Sequence, residues 1–212
     1  MTEETTFADL RVLDLSTGVA GAFCGRLFAD YGADVIAISP PGAAPLLPEG
    51  KRSVTLDITT ETGGLLFRAM VEKANVIIET FADGTLESLG LAFPQLQAIK
   101  RRIIVVTLSD GPDEASSHFA ALNGFAAASL AAFNADSHEI PQHIRISADE
   151  CLASVGGFPA DEIPVDAPLF TSSTVEWARG EAPAPGEHNA EIYGELGVPG
   201  QELARLREEG AV

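Results

Sequence analysis

Short apolar runs that alternate with helical segments are the strongest constraint on the fold of this chain. Five runs of four to six residues are rich in Val, Ile and Leu, at 10–15, 34–38, 53–57, 76–79 and 103–107. Their length is typical of strands, and the segments between most of them have room for a crossover helix. Strands joined through such a helix are parallel, and the connection is right-handed. We therefore predict an α/β fold, an open and mostly parallel sheet flanked by helices.

The connecting segments carry helical patterns. Residues 20–31 place apolar side chains at i, i+3, i+4 and i+7, and Gly32 is suited to end that helix in a left-handed conformation. Residues 60–73 predict a second helix with Leu66, Ala69 and Met70 on its inner face, and shorter helices are predicted at 85–89 and 94–100.

The chain changes character after Asp110. An Ala-rich segment at 118–133 predicts a helix, and it is followed by a polar loop and a short helix that begins near Asp149. Residues 157–186 are rich in Pro, Gly, Ala and acidic residues and predict a surface connection, whereas 189–196 and 200–208 predict two small helices. No further parallel strand is expected here, so residues 1–212 are expected to form one domain.

The charge excludes two classes of partner. Thirteen Lys and Arg residues face 31 Asp and Glu, which gives a formal net charge of −18. Such an acidic surface disfavours nucleic acid and anionic membranes.

The sequence also bears on location. No apolar stretch reaches the roughly 18 residues that a membrane helix needs. The first residues lack a signal-peptide pattern and only Cys24 and Cys151 are present, so a cytoplasmic location is expected.

Several motifs occur in an order that points to one family. The stretch 13–16, then 20–21 and 27–36 (Leu-Phe-Ala-Asp-Tyr-Gly-Ala-Asp-Val-Ile) resembles the N-terminal signature of the family III CoA transferases, the CaiB/BaiF or formyl-CoA transferase-like family. Matching segments follow at 51–57, 76–81 and 89–91, and at the C-terminus at 183–189, 195–197 and 206–212. The resemblance implies the Rossmann-like large domain of these enzymes.

The resemblance also implies a shortened form. Full members insert a small domain and two linkers into the large domain, and their subunits are interlocked rings. Here 1–156 would be the N-terminal part of the large domain, 157–186 the connection that replaces the small domain, and 187–212 the C-terminal helical segment. A connection this short excludes interlocking, so any homodimer, or pairing with a full-length paralogue, must be of a simpler kind.

Asp149 is the catalytic residue that the resemblance implies. In these transferases an aspartate attacks an acyl-CoA thioester, and CoA is then passed to a carboxylic acid through an aspartyl intermediate. Residues 144–149 (Ile-Arg-Ile-Ser-Ala-Asp) resemble the segment that ends in this nucleophile, although Ala153 stands where the family has glycine. The competing interpretation is that Asp149 only supplies negative charge to the first turn of a helix.

Coenzyme A would be a substrate, with no covalently bound cofactor. Its phosphates need cations or backbone N–H groups, which Lys51, Arg52 and the turn Thr17, Gly18 and Val19 could provide. Lys51 and Arg52 fit a solvated turn equally well. The resemblance also implies a weakened or altered CoA site, because family residues near the nucleotide are replaced here. The replaced basic residues are at Ala37, Pro40, Ala82 and Ser88, and Ser39 stands where the family has Glu.

Two alternatives remain open. His118 lies about thirty residues before Asp149, similar to the spacing of the His/Asp proton-transfer pair in 2-methylacyl-CoA racemases, although a lone histidine in an Ala-rich helix is more often a packed residue. The other alternative is a catalytically weak domain that binds a partner or a paralogous subunit. The four histidines and two cysteines form no cluster at metal-ligand spacing, so no metal site is expected.

Overall fold

A computed structural model describes residues 6–138, 140–155 and 182–212. The predicted connection at 157–186 lies outside the described residues, except for 182–186.

Six strands of the described residues form one sheet in the order β3-β2-β1-β4-β5-β6, and every neighbouring pair is parallel. The prediction of an open parallel sheet is confirmed. The strands are β1 (Arg11–Asp14), β2 (Asp34–Ser39), β3 (Arg52–Thr55), β4 (Val76–Glu79), β5 (Ile104–Leu108) and β6 (Gln142–Ile146).

Eight helices accompany the sheet in the described part of the chain. They are α1 (Val19–Asp30), α2 (Glu61–Glu72), α3 (Thr85–Ser88), α4 (Phe93–Ile99), α5 (Glu114–His138), α6 (Ala148–Val155), α7 (Asn189–Glu195) and α8 (Gly200–Glu208). Among these residues, no helix combines the length and apolar content that crossing a bilayer requires.

The sheet has an apolar core on each face. Val12, Val76 and Ile78 pack with α1 and α5 on one face. Leu13 and Ile77 pack on the other face with α2, α4, α7 and α8. Because successive side chains point to opposite faces and both faces are covered, the central strands appear in the sequence as continuous apolar runs. This is why they were predictable.

The sixth strand corrects the sequence prediction. Residues 142–146 were expected to be a polar loop, but they pair with β5 over the register Ile104↔Gln142 to Leu108↔Ile146. Within the described residues β6 is an edge strand: Ile144 and Ile146 pack on the core while His143 and Arg145 are exposed. A strand covered on one face alternates polar and apolar residues, so β6 lacks the continuous apolar run that identified the central strands.

Two helices differ from expectation in detail. Helix α5 begins at Glu114 and ends at His138, longer than the predicted 118–133. Its early start has a cause in Asp113, whose carboxylate accepts the N–H of Ser116 (2.8 Å) and caps the first turn. On α2 the buried apolar side chains are Phe67, Met70 and Val71, whereas Leu66 and Ala69 are only partly buried.

The C-terminal segment docks against edge strand β3. His188 and Ser53 exchange two hydrogen bonds: the His188 N–H donates to the Ser53 carbonyl (3.0 Å), and the Ser53 N–H donates to His188 Nδ1 (3.1 Å). Asn189 and Tyr193 continue the contact to Thr55. The two predicted C-terminal helices are present, and their segment covers an edge that would otherwise expose unpaired backbone groups.

Candidate functional site

The strand order reverses direction between β1 and β4. From β1 the chain continues outward to β2 and β3, and from β4 it continues to the opposite side through β5 and β6. In open parallel sheets, the loops at the carboxyl ends of two such strands diverge and leave a crevice where ligands bind. Here that crevice lies beyond Asp14 and Glu79.

A cleft of about 390 Å³ opens at this position, next to the carboxyl ends of β1, β2, β3 and β4. Apolar side chains line much of it: Leu15, Ile38, Ala43, Ala44, Leu46, Leu56, Ile58, Phe81 and Leu89. Hydroxyl groups are contributed by Ser16, Thr17, Ser39, Thr59 and Thr85, and Asp57 is the one charged residue of the lining in the part of the chain that the structure describes. The cleft suits a flat, mostly apolar group that carries a few polar atoms.

Two side chains that follow distant strands accept hydrogen bonds from the N–H groups at the start of α1. The N–H groups of Thr17 (2.9 Å) and Gly18 (3.1 Å) donate to Thr80 Oγ1, and the N–H of Ala20 donates to Asp110 Oδ1 (2.7 Å). A Cβ at position 18 would lie 2.0 Å from Asp110 Oδ2, so only glycine admits this carboxylate. Among the described residues, the N–H of Val19 has no such side-chain acceptor. Two of the three N–H groups predicted to hold phosphate are therefore engaged within the chain.

Lys51 lies inside the protein. Its Nζ donates to Asp14 Oδ2 (2.7 Å) and to the carbonyl of Ala22 (2.8 Å), and its side chain is 0% exposed. A Cβ on Gly25 would lie 2.5 Å from Asp14 Oδ2, so this glycine lets α1 approach the ion pair. The ammonium has a structural partner already, and its predicted contact with phosphate remains a prediction.

Arg52 lies near the opposite edge of the sheet from the cleft. It is the first residue of β3, and its guanidinium binds both oxygens of Asp34 (2.8 and 2.6 Å), the first residue of β2. It also binds Glu191 (2.8 Å) and Glu195 (3.2 Å) on α7. The structure thus places Arg52 in a network that docks the C-terminal segment, and it does not bring Arg52 together with Thr17 and Gly18.

Asp149 is exposed in the first turn of α6, directly after β6. The strand end that presents it is tied to β5, because the Ser109 N–H donates to the Ile146 carbonyl (3.0 Å) and the Ala148 N–H to Ser109 Oγ (3.3 Å). Within the described residues the Asp149 carboxylate has no hydrogen-bond or ion-pair partner. It is thus an accessible carboxylate at the carboxyl edge of the sheet.

His118 is a packed residue of α5 with 2% of its surface exposed. Its Nδ1 contacts the Glu114 carbonyl (2.7 Å), and its ring meets Phe23 edge-on at 4.4 Å between centroids. Its Nε2 is buried and, in the part of the chain that is described, has no partner. No hydrogen bond joins His118 to Asp149 in that same part.

Neither cysteine lies in the environment of a reactive thiol. Burial raises the pKa of the Cys24 thiol, and burial together with Glu150 raises that of Cys151, so neither is an activated thiolate. Over the described ranges, no three His, Cys, Asp or Glu side chains could jointly hold a metal ion.

Sequence reasoning missed Thr80 and Asp110, the two side chains that cap α1. Each follows a buried strand, β4 or β5, and that position alone could have marked them, because residues after parallel strands gather at the same edge. The glycines at 18, 21 and 25 were a second unused signal. A Cβ at any of the three would meet another side chain within 2.5 Å, so they form the face of α1 that approaches the strand ends.

Known proteins with similar sequences are CoA transferases. The profile of CoA-transferase family III matches residues 7–147. A succinyl-CoA–D-citramalate CoA-transferase of Chloroflexus aurantiacus is 32% identical over 168 residues, which cover 69% of this chain and 42% of that protein. The alpha subunit of a succinyl-CoA–L-malate CoA-transferase of Chloroflexus aurantiacus is 30% identical over 141 residues, 56% of this chain and 33% of the subunit. The chain thus spans less than half the length of these relatives.

A solved structure shows the same fold. The crystal structure of Rv3272 from Mycobacterium tuberculosis superimposes with a TM-score of 0.68 at 21% identity, over 73% of this chain and 56% of that one. The profile match covers about two thirds of the sequence, from before β1 to the end of β6, and so includes the strand ends that build the cleft and the segment that leads to Asp149. The chain belongs to CoA-transferase family III.

Proposed function

We propose that this chain forms the acyl-CoA site of a family III CoA transferase, which moves CoA from an acyl-CoA to a carboxylic acid through an aspartyl intermediate on Asp149. The observation that carries the proposal is the 390 Å³ cleft at the reversal of strand order, in a chain that belongs to this family. A nucleotide is the ligand class that such crevices hold in sheets of this strand order.

The lining of the cleft suits the adenosine part of CoA. Leu15, Ile38, Leu56 and Phe81 offer apolar surface to a flat base, and Asp57 and Thr59 offer polar atoms to its amino and hydroxyl groups. Among the described residues, no Lys or Arg contributes to this lining. The phosphates would therefore be directed away from the cleft toward solvent, and we expect CoA to bind more weakly than in a site that contains cations.

Asp149 would carry the acyl and CoA groups in turn. Its carboxylate attacks the acyl carbon, the C–S bond breaks, and CoA leaves as a thiolate, which gives a mixed anhydride. The thiolate then attacks the aspartyl carbonyl, the donor acid leaves as a carboxylate, and an aspartyl-CoA thioester remains. The acceptor acid runs the same two steps in reverse, which restores the Asp149 carboxylate. The exposure of Asp149 supports this role, since a nucleophile has to be reachable.

A second candidate function is a weakly catalytic domain that pairs with a family member. Two observations favour it. The described part of the cleft lining contains no cation, and the chain spans a third of the alpha subunit of an enzyme that also has a beta subunit. A partner could cover Asp149 and exclude water from the anhydride. Racemase chemistry has less support, because the His118 ring is buried and packed against Phe23.

Calorimetric titration with CoA and acetyl-CoA, followed by trapping with hydroxylamine, tests the proposal. We expect CoA to bind the wild type in the micromolar to millimolar range, and hydroxylamine to convert Asp149 into a hydroxamate when acetyl-CoA is present. Asp149→Asn should lose the adduct and keep CoA binding. Glu150→Gln, which changes the adjacent exposed acid, is the matched control and should keep both.

The absence of CoA binding at millimolar concentration would rule out the transferase proposal for this chain alone. Co-purification of the chain with a full-length family member encoded in the same genome would then support the second candidate function. A chain that binds no CoA and stays monomeric beside that protein would contradict both.

A further inference from the structure

A buried carboxylate lies directly behind one wall of the cleft. Glu79 ends β4 and is 5% exposed. Its Oε2 accepts the N–H of Phe81 (2.7 Å), and Phe81 lines the cleft. The residue between them, Thr80, caps α1 at the same edge. The position of the turn 79–81 therefore affects both the cleft wall and the start of α1.

From Glu79 a chain of hydrogen bonds runs across the sheet to the surface. Glu79 Oε1 is hydrogen-bonded to the hydroxyl of Thr107, its register partner on β5. Thr107 Oγ1 is also 3.0 Å from Nε2 of His143 on β6. The His143 imidazole is exposed and stacks on Phe93, with the ring centroids 5.3 Å apart. Carboxylate, hydroxyl and imidazole thus form one continuous connection over three adjacent strands.

The surroundings of Glu79 and His143 bring the pKa values of these two side chains closer together. Burial raises the pKa of Glu79, against the opposing effects of Thr107 and Phe81. Burial and the nearby Arg145 lower the pKa of His143. Glu79 and His143 line a small cavity of about 20 Å³. Besides Arg145, its other charged lining groups among the described residues are Asp83, in the turn before α3, and Glu87 on α3. Strand β5 contributes Thr107, and α4 contributes Phe93 and no charge.

We propose that Glu79, Thr107 and His143 form a proton relay that sets the position of the Phe81 wall of the cleft. An imidazolium passes its Nε2 proton to Thr107 Oγ1 while the Thr107 hydroxyl proton moves to Glu79 Oε1. The products are a neutral imidazole, which accepts from Thr107, and a neutral carboxyl, which donates to Thr107. Every proton is conserved and each group keeps a hydrogen-bond partner.

The protonation state of Glu79 changes how firmly Phe81 is held. An ionised carboxylate accepts the Phe81 N–H in a charge-assisted hydrogen bond, and a neutral carboxyl accepts it more weakly. The wall consequently loosens as the pH falls and Glu79 becomes protonated. Glu79 is on this account a positioning residue of the cleft, and the inference rests on the proposed function for the identity of the ligand in that cleft.

Fluorine NMR of 4-fluorophenylalanine at position 81 tests the relay without any ligand. We expect one pH-dependent change of the ¹⁹F shift, with a midpoint above the ordinary value for glutamate. Glu79→Gln should abolish this change. Thr107→Val should move the midpoint to higher pH, because the Thr107 hydrogen bond holds the pKa of Glu79 down. Glu72→Gln, at an exposed glutamate of α2, is the control and should leave the midpoint unchanged.

A flat ¹⁹F titration in the wild type, or a transition that survives Glu79→Gln, would overturn the proposal, provided that circular dichroism shows the variants folded. If Glu79→Gln does not fold, the shift of the midpoint in Thr107→Val decides.

The affinity for CoA is a second test. Between pH 7.5 and 5.0 it should fall about fivefold in the wild type, which is the difference between a charge-assisted and a neutral hydrogen bond. It should stay constant in Glu79→Gln. An affinity that does not change while the ¹⁹F shift titrates would overturn the coupling to the cleft. Complete absence of CoA binding would contradict the proposed function instead, and the ligand-free titration would still decide the relay.

Discussion

Lys51 keeps its charge inside the protein, where one carboxylate and one carbonyl are its partners. Two charges buried together are costly to desolvate, so their attraction contributes little net stability, but removal of one leaves the other uncompensated. Asp14 would be in that position if Lys51 lost its ammonium, although it would keep its hydrogen bonds from Ser16. A structural role and a phosphate-binding role for Lys51 therefore predict different consequences of the same substitution.

We expect Lys51→Met to lower the free energy of unfolding by about 3–5 kcal/mol, measured by urea denaturation. Lys100→Met is the matched control, because its ammonium makes one exposed bond to the Glu72 carbonyl, and it should cost under about 1 kcal/mol. A Lys51→Met protein that is as stable as the wild type but binds CoA more weakly would instead support the phosphate contact that the sequence suggested.

At the scale of elements, the titrating side chain of Glu79 at the end of β4 is hydrogen-bonded to Thr107 on β5. The folded-state pKa of Glu79 is raised, so the fold favours its protonated form. The contribution of this group to stability is then fully present below the pKa of an unfolded-state glutamate and is lost as the pH rises through the folded-state pKa. A glutamine at position 79 is neutral at every pH, so its contribution to stability does not fall as the pH rises.

Glu79→Gln should therefore become more stable relative to the wild type as the pH rises from 4 to 7. The amide can still accept from Phe81 and donate to Thr107, so both hydrogen bonds of the turn have a counterpart. Urea denaturation at the two pH values measures the difference. Glu87→Gln, exposed on α3 beside the same cavity, should change far less, and an equal response of the two variants would contradict the assignment.

The contact between α7 and β3 gives a second expectation at this scale. Asn189 is 3% exposed; its Oδ1 accepts the Thr55 N–H and its Nδ2 donates to Thr55 Oγ1, both at 2.8 Å. Asn189→Ala should cost about 1–3 kcal/mol, because the buried Thr55 N–H loses its acceptor. Hydrogen exchange of the Thr55 amide should accelerate in the same variant. Glu191→Ala, which removes an exposed partner of Arg52, should leave that amide protected.

At the scale of the whole molecule, the charge of −18 opposes compaction through self-repulsion. Most ion pairs between described residues are partly exposed, and salt screens such pairs and the general repulsion alike. With 31 acidic groups against 13 basic ones, the repulsion is the larger effect. The melting temperature should therefore rise as sodium chloride increases from 0.02 to 0.5 M. A melting temperature that falls over this range would mean that the surface ion pairs outweigh the repulsion.

The sequence by itself determined the elements whose signal is local. Strands covered on both faces are apolar at most positions, which is why the central strands, and the parallel sheet that they form, could be predicted. Strand β3 was predicted from a shorter, more alternating run, so five of the six described strands were expected. The family motifs lie in these same strands and in the turns that follow them, so the family could be recognised as well. Edge strand β6 was missed because it alternates and resembles a polar loop.

Only the tertiary structure decided which polar groups meet. Lys51 and Arg52 are neighbours in sequence, yet one lies in the core with Asp14 and the other among the acidic residues near the amino edge of the sheet. Thr80 and Asp110 reach α1 from 62 and 90 residues away, and Glu79 reaches His143 through Thr107. The spacing of residues along the chain constrains a periodic element, but the partners of a charge depend on the packing of several elements, which no local pattern contains.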